Sequence, residues 1–214
     1  MLLVDKDGWV NSPTVEKAEY PAIEHGPIGQ INAIVLHRTG APTARSTLAA
    51  YSNKTAGAHF LISETGKIYQ TASLGQKCWH VGQLRSRCEK AHSCSDEEAR
   101  KITDILNRKN TGWSKKFTLI SRMEAAKPYP LRFPSNNDSI GIEITGTLAD
   151  SSHRYETPND LQLKSVYWLL DGLISKYGVT LEDIYAHGPI AHKDENESEG
   201  TSTLTAYKVH KGSH

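Results

Sequence analysis

Asp183-Ile-Tyr-Ala-His-Gly-Pro-Ile-Ala-His-Lys193 opens with a short apolar run, Ile184-Tyr185-Ala186, that ends in His187. Such a run reads as a buried strand carrying a histidine at its C-terminal end. Lys193 follows, then Asp194, Glu195, Glu197 and Glu199, and after them Gly200 and Thr201. The stretch has an earlier counterpart in Ile34-Val-Leu-His37, again an apolar strand closed by a histidine. Two histidines at the ends of two buried strands can meet at one metal ion.

Outward from these two strands the chain alternates strand and helix signals. Ile31 to His37 is the first core strand, after an irregular arm over 1–30 with room for one short strand. A short helix is expected over Thr43–Asn53, with Thr43 as its cap and Leu48 and Tyr51 inward. Ala58–Ser63 and Lys67–Thr71 flank Glu64-Thr65-Gly66, a hairpin signal in which Gly66 supplies the positive φ. Cys78-Trp-His-Val-Gly82 reads as a short edge segment. Ser139-Ile-Gly-Ile-Glu-Ile-Thr145 alternates, with its isoleucines on one face and Glu143 on the other with Ser139 and Gly141. Val166, Leu169, Leu170, Leu173, Ile174 and Tyr177 recur at helical spacing; Pro158 is placed at the first helical position and Gly178 closes the helix. The expected fold is α/β, a central mixed sheet flanked by helices in a single domain over 1–214.

Between these elements lies a segment, 84–138, read as an insertion. Ser95-Asp-Glu-Glu98 is a capping box ahead of a helical face made by Ile102, Ile105 and Leu106. From Asn110 to Asn137 the prolines at 128, 130 and 134 argue for loop. From Leu84 to Ser135 there are twelve Lys and Arg against six Asp and Glu, a net of +6, while the whole chain is +1. A solvated helical face explains this excess, and so does a surface that meets an anionic polymer. The near-zero total argues against a general nucleic-acid binder.

The 214 residues are 37% hydrophobic and 23% charged, an ordinary globular balance. No apolar run is long enough to span a membrane, and no secretory signal is read at the N-terminus. Residues 208–214 read as a frayed tail. The three cysteines, Cys78, Cys88 and Cys94, have neither zinc-ribbon nor redox spacing. Free thiols are the default, with a Cys88–Cys94 disulfide as the alternative outside the cytoplasm.

His37, Glu143, His187, Lys193 and one late carboxylate could together serve a hydrolase. Zinc takes three protein ligands and leaves a position for water. A carboxylate can take the water's proton, and a lysine can stabilise an oxyanion. Each residue also has a plainer explanation. A strand-end histidine commonly meets a backbone partner, Glu143 can face solvent from a one-sided sheet, and acidic runs are usually solvated loops. His59 and His80 can be core histidines satisfied by backbone groups.

The ordered set Val35-Leu-His-Arg-Thr39, Gly57-Ala-His-Phe-Leu-Ile62, Gly66-Lys-Ile-Tyr-Gln70, Cys78-Trp-His-Val-Gly82, Ser139-Ile-Gly-Ile-Glu143 and Tyr185-Ala-His187 resembles the zinc-dependent N-acetylmuramoyl-L-alanine amidases. These share a fold with peptidoglycan recognition proteins and phage amidase-type lysozymes. The resemblance runs from about Ile31 to Thr201. It implies one catalytic Zn²⁺ per chain, held by His37, His187 and a third ligand. It implies Glu143 as general base, Lys193 facing the substrate carbonyl, and His80 at the groove wall in contact with substrate. His59 is left to sheet packing. Relatives commonly carry a cysteine or aspartate two residues after the lysine, followed by proline; here that position is Glu195 and no proline follows. The segment looks more like a bacterial subgroup in which Glu199 is the fixed acid, so Glu199 is favoured over Glu195.

The expected substrate is peptidoglycan or its muropeptides, cut between N-acetylmuramic acid and L-alanine. The alternatives are a non-catalytic peptidoglycan-binding module of the same fold and an unrelated metal hydrolase. The expected setting is an antibacterial effector or lysin, made in the cytoplasm and acting on the wall after non-classical export. A recycling role in the cytoplasm and an immunity protein as partner go with the same resemblance.

Overall fold

The computed structural model describes residues 2–149, 155–192 and 200–212. Its strands in chain order are β1 (Val15–Lys17), β2 (Glu24–Pro27), β3 (Ala33–Arg38), β4 (Phe60–Ile62), β5 (Ile68–Gln70), β6 (Gln76–Cys78), β7 (Ser139–Ile144) and β8 (Ile184–Ala186). Its helices are α1 (Ala44–Tyr51), α2 (Arg87–Lys90), α3 (Asp96–Leu106), α4 (Trp113–Ala125), α5 (Asp160–Tyr177), α6 (His187–Ile190) and α7 (Thr201–Gly212).

Six strands form one sheet in the order β1-β5-β4-β7-β3-β8. β4, β7, β3 and β8 run parallel, and the hairpin partner β5 turns back antiparallel to β4. The α/β class with a mixed central sheet is therefore what the chain adopts. β3 is buried at every position: β7 and β8 pair with its two edges, and α6 and α7 pack against it. Buried parallel strands read as apolar runs for this reason. Ile140, Ile142 and Ile144 of β7 pack with Val166, Leu169, Leu170 and Leu173 of α5 in the main core. Burial of each such side chain contributes about 1.5–3 kcal/mol.

Local signals hold at several ends. The Thr43 side chain accepts from Ser46 N as the α1 cap, and Ser95 and Glu98 form the expected capping box of α3. Gly66 sits at φ 80° at the hairpin tip, and Gly178 closes α5 at φ 68°.

Other expectations are corrected. The N-terminal arm carries two strands: β1 extends the main sheet, and β2 pairs with β6 in a small second sheet. α5 starts at Asp160 with Asn159 as its cap and Gln162 completing a capping box, so Pro158 precedes the helix. Residues 113–125 form a helix rather than a loop. The prolines lie beyond its end, and Ile120 buries against Ile102 and Ile105 of α3 in a separate small core. The tail is helical as far as Gly212, because Tyr207 is fully buried and Lys211 donates to Asp171 at 3.2 Å. Cys88 and Cys94 form a disulfide, while Cys78 is free and buried. None of the described helices is long and apolar enough to cross a membrane.

Candidate active site

The register of the sheet assembles the site. His37 pairs directly with Glu143 across β3 and β7, so both side chains leave the same face of the sheet. On the other flank Leu36 pairs with Ala186, which sets His187 beside His37. The two rings are 4.4 Å apart between centroids. The three residues stand at the C-terminal ends of parallel strands, where open α/β sheets present their ligand sites.

Both histidines are almost fully buried, and each ring is oriented by a second group. His187 Nε2 lies 2.7 Å from the Val81 carbonyl, which can only accept, so Nε2 carries the proton. Nδ1 is then the ring's other nitrogen. His80 Nε2 lies 3.3 Å from the Ser139 carbonyl and is likewise the donor. His80 Nδ1 therefore accepts from His37 Nε2, 3.1 Å away, so that Nδ1 is the other nitrogen of His37 too. Burial, then the neighbours His37, His59 and His187, hold the His80 pKa well below its ordinary value. The ring stays neutral, as this relay requires.

His80 has room only because residue 141 is glycine. A Cβ at Gly141 would stand 2.8 Å from the His80 ring. The Asn136 Oδ1 accepts from the backbone N–H of His80 and Val81 at 3.0 and 2.8 Å, which fixes the turn carrying that ring. His59 is fully buried between Gln76 O and Gly141 N, at 2.9 and 3.1 Å.

The site opens into a cavity of about 750 Å³. His37, His80, Glu143 and His187 line it together with Tyr51, Lys54 and Trp79. Burial and then the Glu143 charge raise the Tyr51 pKa, which keeps the phenol protonated. Trp79 is 50% exposed, and the His25 ring stacks on it at 3.6 Å. Sequence reasoning had no signal for the Trp79–His25 stack or for Asn136, because both depend on contacts between distant segments. Tyr51 was legible as an inward residue of α1, though not as a wall of the cavity.

The donor set suits zinc in part. Two imidazoles share one wall, each with its Nε2 engaged by an orienting partner, the arrangement that metal-binding histidines commonly show. Among the described residues no group of three His, Cys, Asp or Glu side chains could hold a metal. Lys193, Glu195 and Glu199 lie outside the described residues. Gly200, directly after them, sits at φ 79° with its backbone against the Leu36 carbonyl, where any Cβ would collide.

Solved structures with this fold include a selenomethionine derivative of AmpD, 17% identical, with a TM-score of 0.54 over 96% of this chain and 99% of that one. The N-acetylmuramoyl-L-alanine amidase LysC from Clostridium intestinale is 16% identical, with a TM-score of 0.50 over 93% of this chain and 99% of its own. AmpDh3 from Pseudomonas aeruginosa, solved with an anhydromuramic pentapeptide, is 16% identical, with a TM-score of 0.50 over 91% of this chain and 61% of its own. No curated protein matches by sequence. The family model for N-acetylmuramoyl-L-alanine amidases matches residues 27–201, which span every residue that lines the cavity. By that match, and by the fold it shares with these amidases, the chain belongs to the N-acetylmuramoyl-L-alanine amidase family.

Proposed function

We propose that the chain is a zinc-dependent amidase that cuts peptidoglycan between the lactyl group of N-acetylmuramic acid and the L-alanine of the stem peptide. The observation that carries this reading is the direct pairing of His37 with Glu143, with His187 at 4.4 Å from His37. His37 and His187 would hold the ion through Nδ1. Glu199 is the proposed third ligand in preference to Glu195. The close packing of Gly200 on Leu36 supports it, because the chain re-enters the core one residue from His37. When bound, zinc polarises a carbonyl oxygen and brings the pKa of water to about 7.

The chain's own groups do the remaining work. The Glu143 carboxylate takes the proton of the attacking water and delivers it to the leaving amine of L-alanine. Lys193 is proposed to hold the developing oxyanion. His80 orients His37 through its Nδ1 and also lines the cavity that takes the substrate. Trp79 offers an exposed aromatic face, stiffened by His25, on which a sugar ring can lie.

Metal analysis of the purified protein, together with release of stem peptide from sacculi, tests the reading. One zinc per chain and newly exposed L-alanine amines are expected. Binding to sacculi without release would instead identify a peptidoglycan-binding module. For the setting, the proposal is an antibacterial effector or lysin that acts in the periplasm or on the wall, countered by an immunity protein in the producing cell. The Cys88–Cys94 disulfide supports an oxidising compartment. Expression directed to the periplasm should lyse a test strain while cytoplasmic expression leaves it intact; equal harm from both would overturn the placement.

A further inference from the structure

The segment over 84–138 ends in a loop whose Asn136 lines the catalytic cavity. Asn136 Oδ1 accepts from the backbone N–H of His80 at 3.0 Å and of Val81 at 2.8 Å. Two donors on that atom settle which end of the carboxamide is oxygen, and they occupy both of its lone pairs. The other end, Nδ2, donates to no group among the described residues. Asn136 is half-buried, and its Nδ2 is not one of the sealed, unpartnered polar atoms, so its N–H groups open into the cavity. The loop itself is tied down. Asp138, only 5% exposed, accepts from Ser135 N and Ser135 Oγ, both at 2.8 Å, and from Arg132 Nη2 at 2.9 Å. Donors held in place this way need little reordering when a ligand arrives.

Asn136 stands between two parts of the cavity. His80 directly follows Trp79, the half-exposed aromatic face. The Val81 carbonyl accepts from His187 Nε2 at 2.7 Å. One side chain therefore holds both the residue after the aromatic face and the residue that orients a metal-site histidine. Muramic acid has a matching layout. Adjacent ring carbons carry its acetamido group and the lactyl ether that leads to the scissile amide. A ring lying on Trp79 with its lactyl arm towards His187 brings the acetamido group to the ground between them, where Asn136 sits.

We propose that Asn136 is a specificity-determining residue that donates from Nδ2 to the acetamido carbonyl of muramic acid, an inference that rests on the amidase reading. Both lone pairs of Oδ1 are taken, so Asn136 offers the ligand donors only. An acetyl carbonyl accepts them. A free amine at that ring carbon, protonated at neutral pH, brings only donors of its own, and the pairing fails. A site built to bond one substrate is left with an unpaired polar group when the analogue lacks the matching atom. Asn136 thus makes the chain select N-acetylated muramic acid over the N-deacetylated form.

The test uses two muramoyl dipeptides, one with the sugar amine acetylated and one with it free. Each is titrated calorimetrically at neutral pH into the full chain as purified, in its Glu143→Gln form to slow cleavage, and each is assayed for turnover with Glu143 in place. The acetylated compound should bind at least about ten-fold more tightly. Asn136→Asp keeps an oxygen on the His80 turn and exchanges the donor for a carboxylate. Checked for fold and metal content, it should reverse the preference, because the carboxylate pairs with the ammonium. Asn136→Ala removes both ends of the amide; it should lose the preference, and part of kcat with the alignment of His80. A preference that survives in folded Asn136→Asp, equal affinity for both compounds in the parent chain, or no binding of either would each overturn the proposal. So would an equal loss of kcat on both compounds at an unchanged affinity ratio, which would put the amide on the scissile oxygen instead. The titration needs no turnover. A chain that binds with the expected preference and never cuts fails the amidase reading alone, and one that cuts but treats both compounds alike fails this proposal alone.

Discussion

At the sheet edge, ladders between strands far apart in sequence hold His37, Glu143 and His187 in register. In the helical segment over 84–138, α3 and α4 lie close in sequence and meet through Ile102, Ile105 and Ile120, with a disulfide across six residues beside them. The first region sits on a core of fully buried side chains, whereas the second carries its own small core at the rim. The two are nevertheless joined. Arg85 Nε donates to the Ala191 carbonyl at 2.8 Å, and Arg87 Nη1 donates to the Tyr185 hydroxyl at 3.0 Å. Phe117 of α4 stacks on His192 at 4.0 Å between centroids. The helical segment therefore braces the stretch that leaves His187, and excising all of it would disturb the site. Small changes separate the two regions better than a deletion does.

The largest effect should come from the sheet edge. His37→Ala and His187→Ala should each empty the metal site and remove measurable turnover, since a structural or catalytic zinc needs its full ligand set. Metal content by mass spectrometry decides it, and full occupancy in either variant would move the site elsewhere. Glu143→Gln should keep both fold and metal while turnover drops by about 10²–10⁴-fold, the usual cost of losing a general base. Wild-type rates in that variant would make Glu143 a structural residue of β7.

Acid should strain the sheet. Burial pushes the His59 pKa down to about 4, below the 6.5 of an unfolded histidine. A histidine whose folded pKa is lowered gives full stability above pH 6.5 and loses it as the pH falls towards 4. The loss is about 3 kcal/mol at the lower end, at 1.36 kcal/mol per unit. Denaturant titrations at pH 7 and pH 4.5 should show the decline, and His59→Gln should flatten it. A slope unchanged by that substitution would assign the acid sensitivity to other groups.

The helical segment should respond on a smaller scale. Cys88→Ser should lower stability by about 2 kcal/mol, the loop-closure value for so short a bridge, while turnover on soluble muropeptides holds. If activity on small substrates falls as far as stability does, the bridge shapes the site directly. The smallest effect belongs to surface charge. Reversing the exposed Arg108, Lys109 and Lys115 should cost only a few-fold on sacculi at low salt, and nothing on soluble fragments. An equal loss on both substrates would remove polymer binding as the role of the +6 segment.

The strands that carry the candidate site were readable because a buried parallel strand must be apolar along its length and its side chains must alternate. Ile34-Val-Leu-His37, Ile140 to Ile144 and Ile184-Tyr-Ala186 each satisfy that rule locally. Hairpin, capping box and the αL glycine after α5 are likewise set by neighbours in sequence. α4 was missed because Lys115, Lys116 and Arg122 blur its apolar face and three prolines follow closely. Packing against α3 supplies what its own pattern lacks. The α7 tail is the same case, decided by the burial of Tyr207.

Sequence alone determined which side chains could do chemistry and which strands would carry them, because alternation and apolar runs fix local geometry and the buried face. Only the tertiary structure decided that His80 accepts from His37 across 43 positions, that Gly141 clears space for the His80 ring, and that Asn136 holds the His80 turn at the cavity wall. These depend on strand order and register, which residues far apart settle together through long-range packing and backbone pairing, and no local pattern encodes them.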